Sequence, residues 1–236
     1  MADTAHRPTK NLLYEVDTLF NQTYDTGLKR SGVPRDSIKR RERYYNLIQL
    51  FQQTLALEGS MAECGCWMGL SSYLFCCYAR RADPSFSGAG YYLFDSFEGF
   101  SEPNATDNLP SLTINSLKKK FGKVAGAYEV DMSKVKQTLA DFPDVSIHKG
   151  WLPQSLAGIP ERTYRFVHVD VDLHEPTQGS IEYFYPRLVP HGMLVCDDYG
   201  SLAWPGAKQA VDDYCQAHQI QPLVLSTGQA VLWKRS

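Results

Sequence analysis

The chain has 236 residues, 43% of them hydrophobic, with a formal net charge of −2. That is apolar material for one sizeable core and favours one elaborated domain. The near-neutral balance excludes a global attraction to nucleic acid or anionic lipid, since such binding rests on neutralising many phosphates with Lys and Arg. No apolar run approaches the roughly 20 residues of a membrane span, and acidic residues interrupt the only apolar part of the N-terminal stretch, unlike a secretory signal. A cytoplasmic protein with no membrane or nucleic-acid partner is expected.

Residues 11–58 read as helical, because "NLLYEVDTLFNQTY" and "DSIKRRERYYNLIQLFQQTLAL" repeat apolar positions at three and four, with "GVP" as the break between them. They form an N-terminal extension or lid over 1–58, ahead of a main domain over 59–236. Within it Lys29, Arg30, Arg35, Lys39, Arg40, Arg41 and Arg43 outnumber Asp36 and Glu42. Such a patch is either a solvated helix face or a lid over an anionic or polar substrate. The aromatic-rich "YYNLIQLF" would, if exposed, offer a surface for a homodimer or higher homo-oligomer.

From residue 60 short apolar runs alternate with helical stretches: "SMAECG" then 70–82; "YYLFD" then 111–121; "VSIHKG"; "YRFVHVDV" then 178–187; "MLVCDD" then 206–218. Alternation of this kind predicts β-α units on a mainly parallel sheet. The end differs: "QPLVLS" and "QAVLWK" are separated only by "TG", too short for a parallel crossover, so the last strand runs antiparallel to its neighbour. The prediction is an α/β, doubly wound, Rossmann-like sheet of the methyltransferase variety, with an antiparallel C-terminal strand. The turn-rich "SEPNATDNLP" at 101–110 reads as an excursion over the active face. The six cysteines read as reduced thiols, mostly in apolar segments, because no paired C-x-x-C spacing suggests zinc.

Ligands of open α/β sheets collect at the carboxyl ends of the strands. "AECGCWMGLSS" leads through Glu63, Gly65 and Gly69 to Ser71 and Ser72, where glycines admit close backbone approach or close helix packing. "YYLFDSFEGF" puts Asp95, followed by Ser96, at the next strand end, where an acid accepts hydrogen bonds from a ribose or caps a turn. After "VSIHK", Gly150 and Trp151 offer an indole that could wall an adenine or pack in the core. The fourth strand delivers Asp170 and Asp172, then His174, and the fifth delivers Asp197 and Asp198. Two unit charges ~4 Å apart cost about 4 kcal/mol at an effective dielectric of 20. Neither acidic motif has a flanking Lys or Arg. A hard divalent cation such as Mg²⁺, which prefers oxygen ligands, therefore resolves Asp170, Asp197 and Asp198 economically, whereas helix caps strain to explain both pairs.

At these residues the sequence resembles the macrocin O-methyltransferase (TylF/MycF) family, relatives of catechol O-methyltransferase in the class I S-adenosylmethionine-dependent fold. The resemblance runs in order through "RRERYYNLIQLF", "AECGCWMGLSS", "YLFDSFEGF", "KGWLPQSL", "HVDVDLHEPT" and "YPRLVPHGMLVCDDYG". It implies that Glu63, Gly65 and Gly69 lie along the methionine moiety of the cofactor, that Asp95 holds its ribose, and that Gly150 and Trp151 border its adenine. It implies Mg²⁺ on Asp170, Asp197 and Asp198, and an acceptor that is a hydroxyl of a sugar on a natural product. Asp170 is the expected base, with Asp172 and His174 as alternatives. A D-x-D metal-dependent glycosyltransferase and a non-catalytic cofactor-binding partner subunit are the competing readings.

Overall fold

The computed structural model describes residues 12–34 and 36–235; Arg35 of the basic patch and the first 11 positions of the extension lie outside the described residues. Seven strands form one sheet: β1 Ser60–Cys64, β2 Tyr91–Asp95, β3 Ser146–Lys149, β4 Tyr164–Val169, β5 Leu188–Cys196, β6 Leu223–Val224 and β7 Ala230–Trp233. Their order is β3-β2-β1-β4-β5-β7-β6. Every pairing from β3 to β5 is parallel, and β7 lies antiparallel to both β5 and β6. The doubly wound sheet with a reversed C-terminal strand is therefore the one the sequence predicts.

The strands alternate large side chains between two cores. Met61, Phe166, Met193 and Val195 face one side, while Ala62, Cys64, Val167, Val169 and Leu194 face the other, as a period of two requires when both faces are covered. The helices α1 Leu13–Val16, α2 Thr18–Ser31, α3 Ile38–Gln53 and α4 Leu70–Ala82 build on the first side. Two later helices, α7 His174–Phe184 and α8 Pro205–Ala217, cover the second. Between them in sequence come α5 Ser111–Phe121 and α6 Met132–Thr138. The extension shares the main core: Phe20, Tyr24, Leu47, Ile48 and Phe51 are buried with Phe75 and Phe166, and Phe51 lies 5.0 Å from the Phe75 ring.

Two expectations need correction, and one helix was not expected. The aromatic face of α3 is not an exposed oligomer surface, because Leu47, Ile48 and Phe51 are buried within the chain and Tyr45 packs edge-on to Phe20 at 5.1 Å. The helix expected from residue 178 begins at His174, since Pro176 sits in the first turn, where a missing N–H costs nothing. Helix α6 has only seven residues, too short for a visible 3.6-residue period. All six cysteines are free, five of them buried.

Candidate active site

Strand register assembles the site. Cys64, Val169 and Cys196 stand side by side on β1, β4 and β5, and the chain continues the ladder one residue further: Asp170 N–H donates to the Cys64 carbonyl, and Asp197 N–H to the Val169 carbonyl, both at 2.9 Å. Gly65 occupies the crossing point with φ +79°; a Cβ there would sit 2.0 Å from the Asp170 carbonyl oxygen. Only glycine allows β1 to leave the sheet this close to β4.

A cavity of about 270 Å³ opens at these strand ends. Of the residues singled out in the sequence, Gly65, Ser71, Asp95, Ser96, Gly150, Trp151, Asp170 and Asp198 line it, together with Asp172. Glu63, Gly69, Ser72 and Asp197 are absent from its wall. Gly69 is the left-handed N-cap of α4, φ +80°. Glu63 is fully buried beneath the cavity, where it accepts hydrogen bonds from Ser72 Oγ and, at 2.9 Å, Tyr91 Oη.

Asp95 organises the first loop. Its Oδ2 accepts the backbone N–H groups of Cys66 and Trp67 at 2.8 and 3.0 Å, and its Oδ1 that of Phe97 at 2.8 Å. A carboxylate offers about four acceptor positions, so three are used by the protein and room for roughly one further donor remains. Ser96 shapes the same turn, donating to the Gly99 carbonyl at 3.0 Å and accepting from Glu98 N–H at 3.1 Å.

The acidic strand ends divide into two overlapping groups. Asp170, Asp172 and Asp198 place carboxylate oxygens within 4.8 Å of one another, as do His168, Asp170 and Asp197 through one ligand atom each. Asp172 has φ +61°, a sparsely populated conformation for a residue other than glycine and one that recurs at functional sites. Burial, then the negative charge of Asp197, raises the Asp170 carboxyl to about 6, with Arg43 and His168 opposing. Burial and neighbouring carboxylates push Asp172 and Asp198 well above the usual carboxylate range. Asp198 Oδ2 is buried with no hydrogen-bond partner. A set of oxygen donors that costs this much to ionise fits a hard dication.

Asp197 has a different setting. Burial opposes its charge, but Arg43, His168 and Gln229 outweigh burial and hold its carboxyl down to about 2. Arg43 Nη1 lies 2.7 Å from Oδ2, and Gln229 Nε2 donates to Oδ1 at 2.9 Å. His168 Nδ1 is 2.9 Å from Glu63 Oε1, while its Nε2 is 3.6 Å from Asp197 Oδ1, an ion-pair distance beyond a hydrogen bond. Burial lowers the basicity of His168, yet Asp197 and Glu63 together raise it to about 10. Glu63, His168, Asp197 and Arg43 thus stand in one row of contacts.

A profile of the macrocin-O-methyltransferase (TylF) family matches residues 29–235. The chain belongs to that family. It is an S-adenosylmethionine-dependent O-methyltransferase with a Rossmann-like fold. Among its relatives, the 8-demethyl-8-(2,3-dimethoxy-alpha-L-rhamnosyl)-tetracenomycin-C 4'-O-methyltransferase of Streptomyces olivaceus is 27% identical over 202 residues, covering 83% of this chain and 74% of that protein. Mycinamicin III 3''-O-methyltransferase of Micromonospora griseorubida is 24% identical over 185 residues, covering 75% and 69%. The solved structure of the O-methyltransferase NovP superposes with a TM-score of 0.68 at 21% identity, covering 85% of this chain and 81% of that one. The glycosyltransferase and idle-subunit readings give way to this assignment.

For this TylF-family enzyme, the sequence left the basic patch open between a solvated face and a lid, and α3 does both. Arg40, Arg43 and Tyr44 line the cavity, so part of the basic patch turns inward, while Arg41 pairs with Asp25 and Asp36 and Arg30 with Asp141 on the outside. No local pattern marks Arg43, whose partner Asp197 is remote in sequence. Asp172 was legible, since the alternation in "VDVD" puts it on the same side as Asp170. His174 does not line the cavity; it opens α7, and its backbone N–H donates to Asp107 Oδ1 at 2.8 Å. A base role for it is therefore dropped. The 101–110 excursion contributes Ser101 to the cavity wall and is pinned by buried Asp107.

Proposed function

We propose that this enzyme transfers the methyl group of S-adenosylmethionine to a hydroxyl of a sugar carried by a natural product, with Mg²⁺ held at the acidic strand ends. The observation that carries the reading is the meeting of Asp170, Asp172 and Asp198 within 4.8 Å on the wall of the same cavity that Gly65, Asp95 and Trp151 line. A donor site and a cation site thus face one space. The relative described as acting on a rhamnosyl tetracenomycin supports the acceptor class, and the mycinamicin III 3''-O-methyltransferase supports a natural-product hydroxyl as acceptor.

On this reading Asp95 holds a ribose hydroxyl with its remaining acceptor position while its other lone pairs keep the Cys66–Trp67 loop in place. Trp151, 38% exposed, presents its indole to the adenine, and Gly65 and Ser71 border the methionine portion. Asp170 and Asp198 hold the cation, with Asp172 completing the near set; Asp197 joins them when its pair with Arg43 opens. A dication bound there supplies Lewis acidity and fixed positions for the oxygens of a vicinal diol. Asp170, on the cavity wall beside the place where the hydroxyl would bind, is the residue placed to take its proton. The walls align acceptor and donor, and alignment of this kind can supply about 7 to 11 kcal/mol.

The test is incubation with S-adenosylmethionine and a panel of glycosylated natural products, with products read by mass spectrometry. Methylated sugar that forms with Mg²⁺ and stops in EDTA supports the reading. Undiminished turnover in EDTA refutes the metal, and methylation confined to the aglycone refutes the acceptor.

A further inference from the structure

The acidic end of the sheet holds an uneven set of charges. Asp170, Asp172, Asp197 and Asp198 converge there, and Glu63 and His168 form an ion pair beneath them at 2.9 Å. The cation in direct contact with this set is Arg43, from α3 of the N-terminal extension. Its guanidinium reaches Asp197 at 2.7 Å and lines the cavity. Asp197 is fixed on its far side by Gln229, whose own Oε1 accepts from Thr227 Oγ1 at 2.9 Å. Asp197 therefore cannot turn away from Arg43 without breaking the C-terminal hairpin contact. Arg43 Nε is buried without a hydrogen-bond partner, so the side chain is held by the ion pair and by its packing.

We infer that Arg43 is a positioning residue that sets how tightly the acidic site holds its cation: it commits Asp197 and places a positive charge beside Asp170 and Asp198. The inference rests on the cation reading above. It gives the extension a role beyond covering the cavity. A dication entering the Asp170, Asp172 and Asp198 cluster meets a fixed positive neighbour, and Asp197 is available as a further ligand only in exchange for Arg43. The consequence is a deliberately moderated affinity. An Mg²⁺ that must allow a sugar to enter and leave its coordination sphere is better held loosely, since a site that binds ground states too firmly gains nothing in rate.

The sign of the effect separates this role from a merely structural one. Removing a residue that only braces the site loosens the carboxylates and weakens cation binding. Removing a competing cation strengthens it. The test is calorimetric titration of Mn²⁺ and Mg²⁺, each alone, into the wild-type chain and into Arg43→Met and Arg43→Lys. Arg43→Met is expected to bind Mn²⁺ about tenfold or more tightly, a change of about 1.4 kcal/mol; Arg43→Lys, which keeps the charge, is expected to stay within about threefold of wild type. Equal or weaker binding by Arg43→Met overturns the inference. Should Arg43→Met not fold, Arg43→Gln serves instead: with the positive charge removed and the side chain still polar, it must bind Mn²⁺ more tightly than wild type, and equal or weaker binding overturns the inference. A wild-type chain that binds neither metal defeats the cation reading itself, and the two failures are thereby distinguished.

Discussion

Replacing Gly65 by Ala tests the crossing on which the whole site depends. The new Cβ would lie 2.0 Å from the Asp170 carbonyl oxygen, 2.9 Å from its carbon and 3.1 Å from Val171 Cγ1. None of the first two can rotate away, because they are backbone. The left-handed φ of +79° adds about 1–2 kcal/mol for any residue with a Cβ, and forcing β1 and β4 apart adds about 1–3 kcal/mol, for a total of roughly 2–5 kcal/mol. Gly122 is the matched control: its φ is +74°, with nothing within 4 Å of a built Cβ, so Gly122→Ala carries only the backbone term of about 1–2 kcal/mol. Urea unfolding measures the difference, and titration with S-adenosylhomocysteine reports the accompanying loss of cofactor affinity, expected to be about tenfold or more. If Gly65→Ala and Gly122→Ala lose equal stability and both keep wild-type affinity, the close approach of the two strand ends is wrong.

His168 makes a pH prediction. Its folded value of about 10 lies above the ordinary imidazole value of 6.5, so its stabilising contribution is complete below about 6.5 and is lost as pH rises through 10; thermal melts between pH 7 and 10 should show a decline that His168→Gln lacks. The acidic cluster acts in the same direction, over a lower pH window. Carboxyls raised by burial take up protons more readily folded than unfolded, so in EDTA stability should increase as pH falls from about 7 to 5, and added Mg²⁺ should stabilise most at the upper end of that window. Asp107→Ala removes the acceptor for the N–H groups of Asn104 and His174, at 2.7 and 2.8 Å; leaving these unsatisfied should cost about 1–3 kcal/mol, read as a lowered urea midpoint. Tyr44→Phe, on the cavity wall, should leave urea stability within about 0.5 kcal/mol.

Much of this arrangement is local enough to be read in one dimension. The parallel order followed from alternating runs, the reversed last strand from a connection of two residues, and the acidic ends from their position after valine-rich strands. Asp95 and the Gly65 turn were legible as strand-end residues. What escaped is what depends on distance through space. Arg43 neutralises an aspartate from a helix at the other end of the chain, and Glu63 reads as a cofactor contact until its partners Ser72, Tyr91 and His168 place it below the cavity floor. Period alone could not say whether α3 turned its aromatic stripe to solvent or to the core. Its packing on α4, and on the Phe20 and Tyr24 rings of α2, decides the matter.

The central claim is that the strand-end carboxylates hold one dication facing the donor pocket. Diffraction from crystals grown with S-adenosylhomocysteine and Mn²⁺, recorded to reveal anomalous scattering from manganese, tests it most directly. The account predicts one strong peak at coordination distance, about 2.0–2.6 Å, from oxygens of Asp170 and Asp198. A crystal with the homocysteine ligand bound beside Asp95 and no manganese among these carboxylates would contradict it.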